Sequence, residues 1–169
     1  MKKSFFLLAQ VTLCALTLTS TAQAADTRFI PNAAGDEVKD TQTNLVWRRC
    51  PEGTTWDGTT CSGTAFAVTW RVALTLAKAT AASTQVAWRL PNVKELSSLI
   101  VRKIGSPLVD TTAFPTASTM NFVWTSTPQY GSAVFGAWVV SPYTGYITMR
   151  PDSGESWNQS QVLLVRNAD

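Results

Sequence analysis

The sequence predicts an α+β domain with an antiparallel sheet. Three observations carry this. Two segments have helical apolar spacing, several short segments alternate in the strand period, and the strands flank the helices instead of alternating with them. One disulfide is expected to close a loop between the first strand and the first helix.

The first strand is read in "TNLVWRR". Leu45 and Trp47 fall on one side and Val46 on the other. The cysteine loop "RRCPEGTTWDGTTCSG" follows. Next, "VTWRVALTLAKATAAS" places Trp70, Ala73, Leu74 and Ala77 at i, i+3, i+4 and i+7, one apolar helix stripe with Thr69 as its N-cap. The second helix starts in "WRLPNVKELSSLIVRK". Asn92 can cap it, and Glu95 three residues later can reach back to the cap's N–H. Val93, Leu96, Leu99 and Ile100 then face the core, and the helix is expected to end near Lys103. Arg102 and Lys103 at that end complement the helix dipole.

Beyond this the period changes. "NFVWTST" alternates, with Phe122 and Trp124 on one face. "AWVVSPYTGYITMR" reads as two strands joined by a turn at residues 142–145, where Pro and Gly suit a reversal. "QVLLVR" is a short, nearly continuous apolar run, expected inside the sheet and beside the first strand.

The chain opens "MKKSFFLLAQVTLCALTLTSTAQAADT". Two lysines, a short apolar run and a small-x-small "AQA" make a secretory signal peptide over residues 1–24. Cys14 follows Leu13, not a small residue, so no lipid anchor is expected. No later segment is apolar enough to cross a membrane. The protein is expected to be exported, to the periplasm or beyond. Removing the leader from 169 residues leaves 145, which fits one domain. Residues 25–37 read as an N-terminal arm and residues 38–169 as the domain.

Two cysteines remain, Cys50 and Cys61. An even count in an oxidising compartment favours a disulfide. A redox pair would be Cys-x-x-Cys, and a zinc site needs about four ligands in a chain that has no histidine. Asp57-Gly58 supplies a turn inside the loop. Without Lys2 and Lys3 the balance is 12 basic against 11 acidic residues, and no long basic run exists, so nucleic acid is not an expected partner. No metal and no cofactor are expected.

The combination "VKDTQTNLVWRRC", "TWDGTTCSGTA", "WRLPNVKELSSLI", "FPT", "VWTSTP", "AWVV" and "LLVR", in this order, resembles the Lcl C-terminal domain family. This is a bacterial exported domain long of unknown function, named from a collagen-like adhesin. The resemblance spans residues 38–166. Two departures stand out. Ala87 occupies a position where members often have Gly. The closing strand, Val162 to Arg166, lacks a basic residue that members often carry. The resemblance implies a C-type-lectin-like fold, with two helices packed on antiparallel sheet. The adhesin binds sulfated host polysaccharides through this domain. Calcium-holding lectins use a Trp-Asn-Asp stretch, and here "SWNQS" has Gln159 in place of the Asp. No calcium site is carried over.

Seven tryptophans occur, all after the leader. Trp47, Trp70, Trp124 and Trp138 sit on periodic apolar faces and are assigned to the core. Trp88 heads the motif Trp88, Arg89, Leu90, Pro91, Asn92 and Glu95, and is assigned to the helix–sheet junction, so the whole motif serves the fold. Trp56 is expected to cover the disulfide. Trp157 sits in a polar loop. With Tyr143 and Tyr146, if the loops converge, it is the candidate ligand platform. Arg48 and Arg49 are candidate polyanion contacts, as are Arg102 and Lys103, for which the helix dipole is the preferred account. Asp152 and Glu155 are the one close carboxylate pair in a loop with an aromatic, as a glycosidase would need, though a solvated loop accounts for them as well. No catalytic residue is assigned.

The leading functional reading is an exported, non-enzymatic binding module for glycans or another envelope component. A structural or assembly subunit of an envelope or surface-appendage complex is the second. A glycan-active enzyme using the loop carboxylates is the third.

Overall fold

The computed structural model describes residues 27–101, 104–129 and 135–168. Residues 1–24, read as a leader, and Arg102 and Lys103 lie outside the described residues.

The chain is mixed α and β, with three antiparallel sheets among the described residues. The first has the order β1 (Phe29–Pro31), β2 (Glu37–Asp40), β3 (Leu45–Arg48) and β9 (Val165–Asn167). A two-stranded ribbon joins β4 (Thr54–Trp56) to β5 (Cys61–Gly63). The third sheet runs β6 (Val123–Pro128), β7 (Gly136–Val140) and β8 (Ile147–Pro151). Between the ribbon and the third sheet come α1 (Trp70–Thr84) and α2 (Val93–Ser98), and a 3₁₀ turn (Ser156–Asn158) follows β8. Among the described residues no helix is long and apolar enough to cross a membrane.

Two cores share the central strands. Leu45, Trp47, Leu163 and Val165 enter one, with Leu96, Phe114, Met120, Val123 and Val140. Val46, Val162 and Leu164 enter the other, with Trp70, Ala73, Ala77, Trp88, Trp124 and Val139. Strand side chains alternate faces, so a strand apolar on both faces must lie between two packed layers. That is why "NLVW" and "VLLV" read as nearly continuous apolar runs.

Several expectations are met. β3 pairs with β9, so the last strand does lie beside the first one read in the sequence. β7 and β8 form the expected hairpin, with Val140 opposite Ile147. Cys50 and Cys61 are bonded, with Cα atoms 5.5 Å apart. Within the ribbon the Asp57 carboxylate accepts the N–H groups of Thr59 and Thr60 and the Ser62 hydroxyl, and Gly58 takes a φ of 103°. This is a side-chain-built turn that only glycine enters freely at that position.

Other expectations are corrected. The second helix stops at Ser98, well before Lys103. Leu99 and Ile100 donate to carbonyls only three residues back, and the hydroxyls of Ser97 and Ser98 bond the carbonyls of Val93 and Glu95. Such tightening and side-chain competition end helices. Val101 then turns to donate to Leu108. Leu74 is 38 % exposed, because the buried arc of α1 runs through Trp70, Ala73 and Ala77 and continues toward Leu76. Thr69 occupies the N-cap of α1 with extended backbone, but its side chain makes no cap bond. The Asp152 carboxylate accepts the Arg71 N–H in its stead. Trp138 is 36 % exposed, not core. It alternates with Ala137 and Val139 and faces the opposite way, where the sheet is covered at Val140 and open at Trp138. The closing strand is not internal in the sheet order. β9 is its edge among the described residues, met on its outer side by an isolated bridge between Val165 and Arg89. Residues read as an N-terminal arm contribute β1.

Candidate functional site

One surface gathers the aromatic and cationic groups that the fold leaves unused. Gln161 is fixed alongside the start of β6, its N–H donating to the Phe122 carbonyl and its carbonyl accepting from Trp124 N. That places Phe122 at the rim of the second core, partly exposed. β8 lies two strands away and carries Arg150. Its guanidinium lies 4.2 Å from the centre of the Phe122 ring. Nη1 donates to the Gln159 carbonyl at 2.7 Å, while Nε and Nη2 have no partner among the described residues. Burial lowers the Arg150 guanidinium from its ordinary value, yet arginine stays cationic in protein at neutral pH.

Trp157 sits on the 3₁₀ turn, held by the Asn158 amide donating to the Ser153 hydroxyl and by Asn158 N donating to the Glu155 carbonyl. It is 67 % exposed. Trp157, Phe122, Arg150 and Ser160 line one cavity of about 350 Å³. Tyr146, at the foot of the β7–β8 turn, meets the Phe122 ring edge-on at 6.5 Å. Of the predicted platform, then, Trp157 and Tyr146 both come to Phe122. Tyr143 is exposed on the same turn, but shares no ring contact with either among the described residues. Phe122 and Arg150 were missed by sequence reasoning. Phe122 reads only as sharing a strand face with Trp124, and Arg150 becomes meaningful only once the hairpin register places it beside Phe122.

The other predicted residues serve the fold. Arg89 forks onto Glu95 at 2.8 and 2.9 Å. Glu95 also accepts Asn92 N, and Asn92 Oδ1 accepts Glu95 N. Burial pushes the Glu95 carboxyl up, but the Arg89 hydrogen bonds, the Asn92 N–H and the Arg89 charge outweigh it and hold it below its usual value. Trp88 and Leu90 are buried, and the Pro91 carbonyl accepts Ser126 N. Arg48 pairs with Glu52. Arg49 is buried, its guanidinium spent on backbone carbonyls. Asp152 pairs with Arg71 at 3.0 Å, its side chain only 3 % exposed, while Glu155 is exposed. Among the described residues no group of three His, Cys, Asp or Glu side chains could hold a metal ion.

Compared with known proteins, residues 36–166 match the family model of the Lcl C-terminal domain. No curated protein and no solved structure matches the chain.

Proposed function

Because the chain belongs to the Lcl C-terminal domain family, we propose that it is an exported, non-enzymatic binding module of the cell envelope. Its ligand is an acidic glycan, and the groove of Phe122, Arg150 and Trp157 holds it. The observation that carries this reading is Arg150. A partly desolvated cation lies against an aromatic face, and its Nε and Nη2 have no partner among the described residues, in a groove that an exposed indole also lines. Aromatic faces take the C–H faces of sugar rings, and a guanidinium fork takes a carboxylate or sulfate. Asp152 supports the non-enzymatic reading, since it caps α1 and pairs with Arg71. The fold is read as C-type-lectin-like, and the presence of β1 and β9 in one sheet supports that by bringing the two ends of the domain together.

The test is a glycan array probed with the purified protein, followed by calorimetry on the best acidic glycan. Arg150→Gln and Trp157→Ala should each weaken binding at least about tenfold. An array with no retained acidic glycan, or variants that bind like the wild type, would overturn the reading.

A second reading, an assembly subunit, is favoured by the open face of β7 and β8. Trp138 and Ile147 are both exposed there, on one face, in cross-strand pairs two positions apart. Solvent-facing apolar neighbours of this kind mark contact surfaces. Light scattering that gives a stable oligomer, lost in Trp138→Ser, would support it.

A further inference from the structure

We propose that the groove continues past Gln161 as a trough beneath the disulfide-closed ribbon, and that this continuation is a second subsite for neutral sugar. The inference rests on the reading of the first groove as a saccharide site. It makes the ligand an oligosaccharide, bound by its acidic unit at Arg150 and by the next neutral unit under the ribbon.

A second cavity, of about 420 Å³, lies between the end of the ribbon and the segment after Phe114. Thr54, Thr64, Thr116, Thr119 and Gln161 line it, together with Cys61 of the disulfide. Gln161 lines the first cavity as well. The walls also run on. On one side the chain passes from Thr64 and Ala65 in the second cavity to Ala67 in the first. On the other it passes from Thr116 and Thr119 to Asn121 and Phe122. Gln161 is therefore the floor where the two meet, and its backbone is fixed by bonds to Phe122 and Trp124.

The two halves differ in chemistry. The first holds a cation against the Phe122 ring, with Trp157 in the same lining. The second is lined by threonines and one glutamine beside Pro51, Ala65 and Cys61, with no charged side chain. Gln161 Oε1 and Thr116 Oγ1, on two residues that line it, are buried without a hydrogen-bond partner among the described residues. A buried oxygen without a donor is a standing cost to the fold, and a ligand hydroxyl that reaches it removes that cost. Both residues line the cavity, so turning a side chain, not the backbone, brings either oxygen to the ligand. The wall opposite is rigid, because the disulfide and the Asp57 turn fix the ribbon. A preformed wall lowers the entropic cost of binding. Neutral sugar units, which present several hydroxyl donors and no charge, match this lining.

The experiment titrates glucuronic acid alone, and the hyaluronan disaccharide in which it is joined to one neutral sugar, calorimetrically into the purified protein. The disaccharide should bind about tenfold more tightly than the single acid. Thr116→Val, at a residue that lines only the second cavity, should bring the disaccharide to the single acid's affinity and leave the single acid unchanged. Trp157→Ala should weaken both alike. Equal affinity for the two ligands in the wild type, or a difference that survives Thr116→Val, overturns the second subsite alone. No binding of either ligand overturns the groove as an acidic-saccharide site, and the second subsite with it.

Discussion

The Arg49 guanidinium lies 4.0 Å from the centre of the Trp56 ring, which ties the cysteine ribbon to the body of the domain. The same guanidinium donates to the carbonyls of Gly35, Ala113 and Thr112. Gly35 is needed at its place. A Cβ there would stand 2.9 Å from Trp56 Nε1, and its φ is 77°. Trp56 lies opposite Cys61 in the ribbon. Lysine cannot span three carbonyls and an aromatic face with a planar fork. Arg49→Lys should therefore lower stability by about 2–3 kcal/mol, the cost of stranding hydrogen bonds to a charged group. An unchanged urea midpoint would show that the disulfide alone holds the ribbon.

Removing the disulfide should also be costly. Closing a loop with a sequence separation of 11 is worth about 3 kcal/mol by the chain-entropy argument. Cys50→Ser/Cys61→Ser should show that loss in urea melts. EDTA should leave the melting temperature of the wild type where it was. A clear fall with EDTA would mean that a metal, not the staple, holds this region.

The capping box gives a smaller and cleaner prediction. Asn92→Ala removes one donor–acceptor pair at the start of α2 and should cost about 1 kcal/mol. Arg89 adds a fork to Glu95 from outside the helix. A double-mutant cycle of Asn92→Ala with Arg89→Gln should show coupling, since both act through Glu95. Strict additivity would separate the cap from the fork. Neither change should alter glycan affinity by more than about twofold, because neither residue lines the groove around Arg150.

How far the sequence carries is visible in these same residues. Leu45, Trp47 and Val46 divide between two cores as their alternation requires, and Asn92 with Glu95 forms the box their spacing predicts. Both signals are local and periodic. The strands β1, β2, β4 and β5 were not legible, being only three or four residues long and too short to establish a period. Trp138 misled because period assigns a side chain to a face but does not say whether anything covers that face. Trp157 was legible as an aromatic in a polar loop. Its partners were not, since Phe122 and Arg150 meet only through the register of β6, β7 and β8 and the bonds of Gln161.

The last prediction concerns acid. Asp40 is fully buried, and Arg28 forks onto it at 2.8 and 2.6 Å. The Thr43 hydroxyl and Gln42 N–H add two further bonds. Burial pushes the Asp40 carboxyl up, but these bonds and the Arg28 charge outweigh it, so it ends below its usual value. A carboxyl depressed in the folded state binds its proton later than in the unfolded chain. Its stabilising contribution is complete above the unfolded value, roughly pH 4, and fades as pH falls through the folded value. Asp40→Asn keeps the shape but strands the Arg28 cation, and breaking a buried pair from one side costs about 3–5 kcal/mol. At pH 7 the variant should therefore be clearly less stable than the wild type in urea. Below roughly pH 4 the gap should narrow, because the wild-type carboxylate is then being neutralised as well. Two stability curves that stay parallel down to that range would show that Asp40 does not carry the acid sensitivity of the fold.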